Sequence, residues 1–91
     1  METGAKEPKS YVIGPEGGIL TIDDLPPPDT ERWVPRRKAE VVVAVRGGML
    51  SLGEACERYR LTAEEFLAWQ HALAHFGMNG LRATDSRDYR H

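Results

Sequence analysis

Two helix-capping signals eleven residues apart constrain this chain more than any other feature. Ser51 is followed three positions later by Glu54. Thr62 is followed three positions later by Glu65. Each pair has the pattern of a capping box, in which a hydroxyl and a carboxylate satisfy the free amides at the start of a helix. The spacing predicts a helix-turn-helix, a unit that usually places its second helix on a partner, most often in the DNA major groove.

Apolar side chains repeat at helical spacing in both of these helices. The first is too short to be stable alone, so it must pack on its neighbours. We expect the core of the unit to contain the following inward side chains: Ala55, Cys56 and Tyr59 in the first helix, Leu61 in the turn, and Phe66, Trp69 and Leu73 in the second. Trp33 and Phe76 are expected to complete the large apolar surface. The alternative is a plain helical hairpin inside a small bundle.

The turn of this unit departs from the usual pattern. Arg60 stands where many such turns have glycine, which reaches a positive φ without strain. Arg60 must therefore be strained or the turn must differ. Gly77 follows the second helix and is expected to end it as a C-terminal cap.

The rest of the chain predicts a single domain, mainly α, with three helices and a short N-terminal β-hairpin. Pro35 suits the first position of the first helix, whose inner face would contain Ala39, Val42 and Val43 and which Gly47 and Gly48 would stop. The predicted segments are a disordered N-terminus at 1–10, a hairpin at 11–22, an extended proline-rich strap without helix at 23–34, three helices within 35–77 and a tail at 78–91.

Composition favours a cytoplasmic protein without a disulfide. Cys56 is the single cysteine of the 91 residues, and the net charge is −2. No apolar run approaches the roughly 20 residues that span a bilayer, and the N-terminus lacks an apolar signal core. We therefore expect no membrane association.

No motif predicts catalysis, a cofactor, a metal or a small-molecule ligand. His71 and His75 have a spacing that can hold a metal, but no third ligand accompanies them in a known pattern. Cys56 reads as small core filler rather than as a nucleophile. Asp23 and Asp24 are adjacent on an extended chain, where neighbouring side chains point to opposite sides. We expect the protein not to be an enzyme.

The candidate contact residues combine a basic cluster with the exposed start of the third helix. Basic side chains at a helix N-terminus oppose the helix dipole, and an anionic partner would reverse that cost. Residues 61–81 contain no lysine or arginine, so phosphate attraction must come from elsewhere. The predicted DNA- or partner-binding residues are Arg32, Arg36, Arg37, Lys38, Arg58, Arg60, Thr62, Ala63, Glu64, Ala68 and His71.

Several stretches carry a family resemblance. They are Tyr-Val-Ile-Gly-Pro-Glu-Gly at 11–17, Leu-Thr-Ile-Asp-Asp-Leu-Pro-Pro-Pro at 20–28, Arg-Trp-Val-Pro-Arg-Arg-Lys-Ala-Glu-Val-Val at 32–42, scattered positions of the helix pair and the closing Tyr-Arg-His. The chain resembles the small CtrA-inhibitory proteins of alphaproteobacteria, the SciP family. The resemblance implies a cell-cycle regulator that stops the response regulator CtrA from activating transcription, by contacting it at promoters with or without DNA contacts.

Three functional hypotheses follow. The first is a transcriptional inhibitor that docks on the DNA-bound regulator, for which charge reversal at Arg36 and Arg37 is expected to abolish repression while the fold persists. The second is an independent, sequence-specific DNA-binding repressor, which the missing cations of the third helix disfavour. The third is a protein-interaction adaptor that does not bind DNA.

Overall fold

Three helices follow a two-stranded antiparallel hairpin, which confirms the predicted fold class. The structure, a computed structural model, describes residues 9–82. The elements in chain order are β1 (Tyr11–Ile13), β2 (Ile19–Thr21), one 3₁₀ turn (Ile22–Asp24), α1 (Pro35–Arg46), α2 (Leu52–Tyr59) and α3 (Ala63–Arg82). The expectations for residues 1–8 and 83–91 lie outside the described residues. The amide of Lys9 donates to the carbonyl of Gly48 at 3.1 Å, so the described chain starts beside the end of α1.

The hairpin packs on α1 through its inward residues. Val12 pairs with Leu20 across the two strands, and both side chains are buried. They join Leu25, Ala44 and Met49 in a cluster of their own. A Cβ at Gly47 would overlap the side chain of Val12, so this glycine permits β1 to cross the end of α1 closely. Gly47 therefore does more than end the helix.

The proline-rich strap begins with a helical turn rather than with extended chain. Ile22–Asp24 form a 3₁₀ turn because Asp24 accepts hydrogen bonds from the amide and hydroxyl of Thr21, at 3.0 and 2.9 Å. The expectation of no helix from residue 23 was wrong at this turn. Beyond it the carbonyl of Pro26 accepts a 2.7 Å hydrogen bond from the Tyr59 hydroxyl, which fixes the strap against α2.

The helix starts and the turn between α2 and α3 follow local sequence signals. Both capping boxes are confirmed: the amide of Glu54 donates to the Ser51 hydroxyl at 3.0 Å, and the amide of Glu65 donates to the Thr62 hydroxyl at 3.0 Å. At the end of α2, the amide of Leu61 donates to the carbonyl of Cys56 at 2.9 Å. This bond spans five residues and is the closing bond of a Schellman turn.

An aromatic cluster joins the strap to both later helices. The Trp33 ring centroid lies 5.0 Å from that of Trp69 and 5.1 Å from that of Tyr59. Phe66 and Leu61 are buried in the same cluster. Burying aromatic side chains of this size dominates the energetics of a small core, at roughly 2–3 kcal/mol each.

Gly77 interrupts α3 as expected, but a second, short helical stretch follows it. Gly77 has φ 68° and ψ −159°, a conformation essentially restricted to glycine. The chain resumes helical geometry as far as Arg82 and buries Leu81 completely. Phe76, expected in the core, is 68% exposed. Leu81, and not Phe76, is thus the core residue at this end of the chain.

Lys38 is the buried link between the first turn of α1 and the last turn of α3. Its side chain is almost completely buried, and its ammonium donates to the carbonyl of Leu81 at 3.0 Å. The same ammonium lies 5.6 Å from the centre of the Trp69 ring, within cation–π range. A cation at the C-terminal end of a helix is also favoured by the helix dipole.

We expect Lys38→Met to lower the free energy of unfolding by about 1–3 kcal/mol, the usual cost of losing a buried charge-assisted hydrogen bond. Methionine retains the apolar stem and removes only the ammonium. Arg37→Met, at the exposed neighbouring position, is the control and should stay within about 0.5 kcal/mol of the unchanged protein. Urea denaturation followed by tryptophan fluorescence measures both. An unchanged midpoint for Lys38→Met would contradict a structural role for the ammonium.

Candidate interaction surface

The exposed face of α3 is neutral to acidic and partly apolar. Ala63, Glu64, Ala68 and His71 are all exposed, and Leu67 among them is 50% exposed. We call these five residues the α3 face. The helix carries no lysine or arginine before Arg82. Nothing on this face would attract a phosphate backbone.

Thr62 stands at the start of the α3 face with its side chain already in use. Its hydroxyl oxygen accepts from the Glu65 amide, and its own amide donates to the Glu65 carboxylate at 2.9 Å. One lone pair of the Thr62 hydroxyl thus completes the helix cap, which leaves its proton and its second lone pair for a partner.

The predicted basic cluster divides into three different environments. Arg36 is exposed but pairs with the carboxylates of Glu16 and Glu40, at 3.2 and 3.5 Å. Burial raises the pKa of the Glu40 carboxyl, and the Arg36 guanidinium opposes that rise. Arg37 is exposed and donates to the carbonyl of Arg32 at 3.4 Å. Arg32 is exposed as well, so Arg32 and Arg37 present charge to solvent; we call them the arginine pair.

Lys38 does not belong to this exposed cluster. Its ammonium is committed to Leu81 and Trp69 in the interior, so the prediction that it contacts a partner was wrong. The position looked like the third member of a basic run, but it faces inward because it shares a helix face with the buried Val41 and Val42, three and four positions later.

The arginine pair and the α3 face lie on different sides of α3. The first turn of α1 packs on the buried side of α3, where the Lys38 ammonium lies over the Trp69 ring, and Trp33, which follows Arg32, has its ring 5.0 Å from that of Trp69. The α3 face is the exposed side of the same stretch of helix. The structure therefore does not bring all the predicted site residues together.

Arg58 and Arg60 form a third group beside the start of α3. Arg58 is partly buried, and its Nε donates to the Tyr59 hydroxyl at 3.1 Å. Arg60 is exposed in the left-handed region, with φ 57° and ψ 44°. Both line a groove of about 530 Å³ whose wall also contains three carboxylate side chains, Asp29, Glu31 and Glu57. The mixed charge makes this groove a poor phosphate site.

His71, His75 and Cys56 are the side chains that the sequence offered for metal binding or catalysis. The rings of His71 and His75 lie 4.2 Å apart on the surface of α3. No group of three or more potential ligands occurs within residues 9–82. Burial and the nearby Glu65 carboxylate raise the pKa of the Cys56 thiol, which disfavours the reactive thiolate.

The comparisons with known proteins give a family. Residues 4–90 match the model of the family described as "Protein of unknown function (DUF1153)". The chain belongs to this family. No curated protein matches it.

Within residues 9–82, no helix is long and apolar enough to cross a membrane.

Two solved structures are similar to this DUF1153 chain. One is the solution NMR structure of a Rhodobacter sphaeroides protein, a structural genomics target, with 42% identity and a TM-score of 0.71 over 99% of this chain and 95% of that one. The other is a second structural genomics target solved by NMR, with 37% identity and a TM-score of 0.60 over 100% of this chain and 97% of that one. These relatives support the fold and name no activity.

Sequence reasoning missed the outward side of the hairpin. Ile13 pairs with Ile19, and these side chains are 58% and 67% exposed. The signal was present in the sequence, because Tyr-Val-Ile and Ile-Leu-Thr have apolar residues at both alternating positions. A strand with one solvated face normally alternates apolar and polar residues.

Arg60 allows a direct test of strain in the turn. Arg60→Gly and Arg60→Ala both remove the guanidinium, but only glycine relieves the left-handed conformation. We expect the glycine variant to be more stable than the alanine variant by about 1 kcal/mol. Thermal and urea unfolding measure the difference. Equal stability of the two variants would show that residue 60 is not held in the left-handed region.

Proposed function

We propose that this protein is a transcriptional regulator of the cell cycle that inhibits activation by the response regulator CtrA. It acts by protein contact at promoters, and its arginine pair adds contact with DNA phosphates. The sequence resemblance to the SciP family supports the identity of the partner. The α2–α3 pair, with its short turn and two capping boxes, is compatible with a helix-turn-helix and supports a docking role.

The observation that carries this proposal is the chemistry of the α3 face. A helix that reads DNA by itself most often uses arginine or lysine on guanine and asparagine or glutamine on adenine, although a glutamate can accept from cytosine. The exposed residues at the start of α3 are instead alanine, glutamate, leucine and histidine. Such a face suits a protein surface better than a groove lined with phosphates.

The arginine pair supports a second, electrostatic contact. Arg32 and Arg37 are exposed and make no ion pair with another described residue, so their charge is free to attract an anionic backbone. Two phosphate contacts add modest, salt-dependent affinity and no base discrimination. Sequence specificity would then come from the regulator that is already bound.

A three-part titration tests the proposal. Labelled protein is titrated with a duplex that contains a CtrA site, with purified CtrA, and with the CtrA–duplex complex, at two salt concentrations. We expect the tightest binding with the complex, weak and sequence-independent binding with the duplex alone, and suppression of CtrA-dependent transcription in vitro. Tight, sequence-specific binding to the duplex alone would support the independent repressor instead. Binding to CtrA that excludes DNA would support the adaptor.

Charge reversal of the arginine pair gives a sharper prediction than reversal at Arg36, whose loss would also break two internal ion pairs. We expect Arg32→Glu/Arg37→Glu to weaken binding to the CtrA–duplex complex roughly tenfold and to lower its salt slope by about 2. The matched control is Lys9→Glu/Arg46→Glu, which reverses two exposed charges near the other end of α1. Arg46 lies about 16 Å from the start of α1.

Circular dichroism and urea unfolding establish that both double variants remain folded. Equal affinity of Arg32→Glu/Arg37→Glu and the unchanged protein for the complex would refute the phosphate contact. Equal weakening by the control would show a general charge effect rather than a site.

A further inference from the structure

The outward side of the hairpin is apolar where a solvated hairpin is normally polar. The inward positions are filled by Val12 and Leu20. Yet the outward side chains of Tyr11, Ile13 and Ile19 are 53%, 58% and 67% exposed. We call these three residues the outer hairpin face. Exposed aromatic and branched side chains gathered on one small face mark an interaction site more often than isolated ones do.

This face is held in place before any partner arrives. Val12 packs against Gly47 at the end of α1, and the ion pair between Glu16 and Arg36 ties the hairpin turn to the start of α1. The turn itself is closed by a 2.7 Å hydrogen bond from the amide of Gly14 to the carbonyl of Gly18. A preformed surface loses little conformational entropy on binding.

Carboxylates border the outer hairpin face at its open end. Tyr11 pairs with Thr21 there, and Thr21 donates two hydrogen bonds to Asp24. Asp23 is its exposed neighbour. The hydrogen bonds from Thr21 lower the pKa of Asp24, which keeps this carboxylate charged at neutral pH. Lys9 is the one lysine or arginine between residues 9 and 31, so the border is acidic.

The acidic border indicates which kind of partner the outer hairpin face can bind. A nucleic acid would be repelled, because its phosphates would meet these carboxylates. Two copies of the chain placed face to face would bring like charges together, which opposes association. A protein surface with complementary charge meets neither obstacle.

We propose that the outer hairpin face docks a protein element that is apolar at its centre and carries lysine or arginine at its rim, such as a basic amphipathic helix. This goes beyond the proposed function, because the hairpin packs on α1 through a different side-chain cluster from the one that joins α1 to α3. The protein thus has a second docking surface in addition to the α3 face. Its apolar side chains supply affinity, and Asp23 and Asp24 supply charge selectivity.

Two synthetic helical peptides test the proposal. Both have the same leucine face, flanked by lysine in one peptide and by glutamate in the other. Each is titrated into ¹⁵N-labelled protein, and amide chemical shifts are followed. We expect saturable shifts centred on residues 11–24 with the lysine peptide and roughly tenfold weaker binding of the glutamate peptide. Shifts centred on α3, or no saturable shift with the lysine peptide, would overturn the proposal.

Three variants separate docking from folding. Ile13→Thr/Ile19→Thr removes the apolar surface but keeps β-branched residues that favour strands, and it should abolish saturable binding. Ile13→Val/Ile19→Val keeps an apolar face and should retain binding within about threefold. Asp23→Lys leaves one carboxylate beside one ammonium and should remove the preference between the two peptides without altering the face.

The amide spectrum of each free variant shows whether the hairpin persists. If the threonine variant unfolds the hairpin, the valine and Asp23→Lys variants still decide the question. Sedimentation of the peptide-free protein adds a last check. A dimer that the threonine substitutions dissociate would overturn the proposal, because the face would then be occupied by a second copy.

Discussion

The fold depends on a buried ammonium that joins the start of one helix to the end of another. Lys38 donates to the carbonyl of Leu81 and lies against the ring of Trp69. A buried cation is costly unless it is paired and hydrogen-bonded, so this contact demands that the last turn of α3 return to the first turn of α1. The kink at Gly77 makes that return feasible, because Leu81 then reaches the core while its carbonyl meets the ammonium. The buried Lys38 ammonium and the kink at Gly77 therefore depend on each other.

Packing from two sides explains the composition of α1. The helix is packed by the hairpin through one cluster of side chains and by α2 and α3 through another. A helix covered in this way leaves little space for large side chains, and its buried residues besides Lys38 are alanine and valine: Ala39, Val41, Val42 and Ala44. Since most of α1 is enclosed by its neighbours, recognition falls to its exposed first turn with the residues just before it, to the hairpin and to the exposed side of α3.

Local features could be predicted from the sequence, and long-range ones could not. The capping boxes at Ser51 and Thr62 depend on residues three positions away, and the structure has both. Lys38 resembled an exposed member of a basic run, because nothing within a few residues indicates that its partner is Leu81, forty-three positions later. Phe76 kept the helical spacing of a core residue, yet it is 68% exposed, while Leu81, beyond the kink at Gly77, is buried. Burial at these positions is decided by how the helix end folds back.

The arginine pair and the α3 face are separate surfaces, which limits how one partner can bind both. The arginine pair belongs to the start of α1, which packs on the buried side of α3 around Trp69, whereas the α3 face is the exposed side of that helix. The body of α3, roughly 10–12 Å across with its side chains, therefore lies between the two. A partner assembly that presents protein at one place and phosphate at another can engage both at once. Two weak contacts held together on one rigid body then bind more tightly than either alone, because the second forms at high effective concentration.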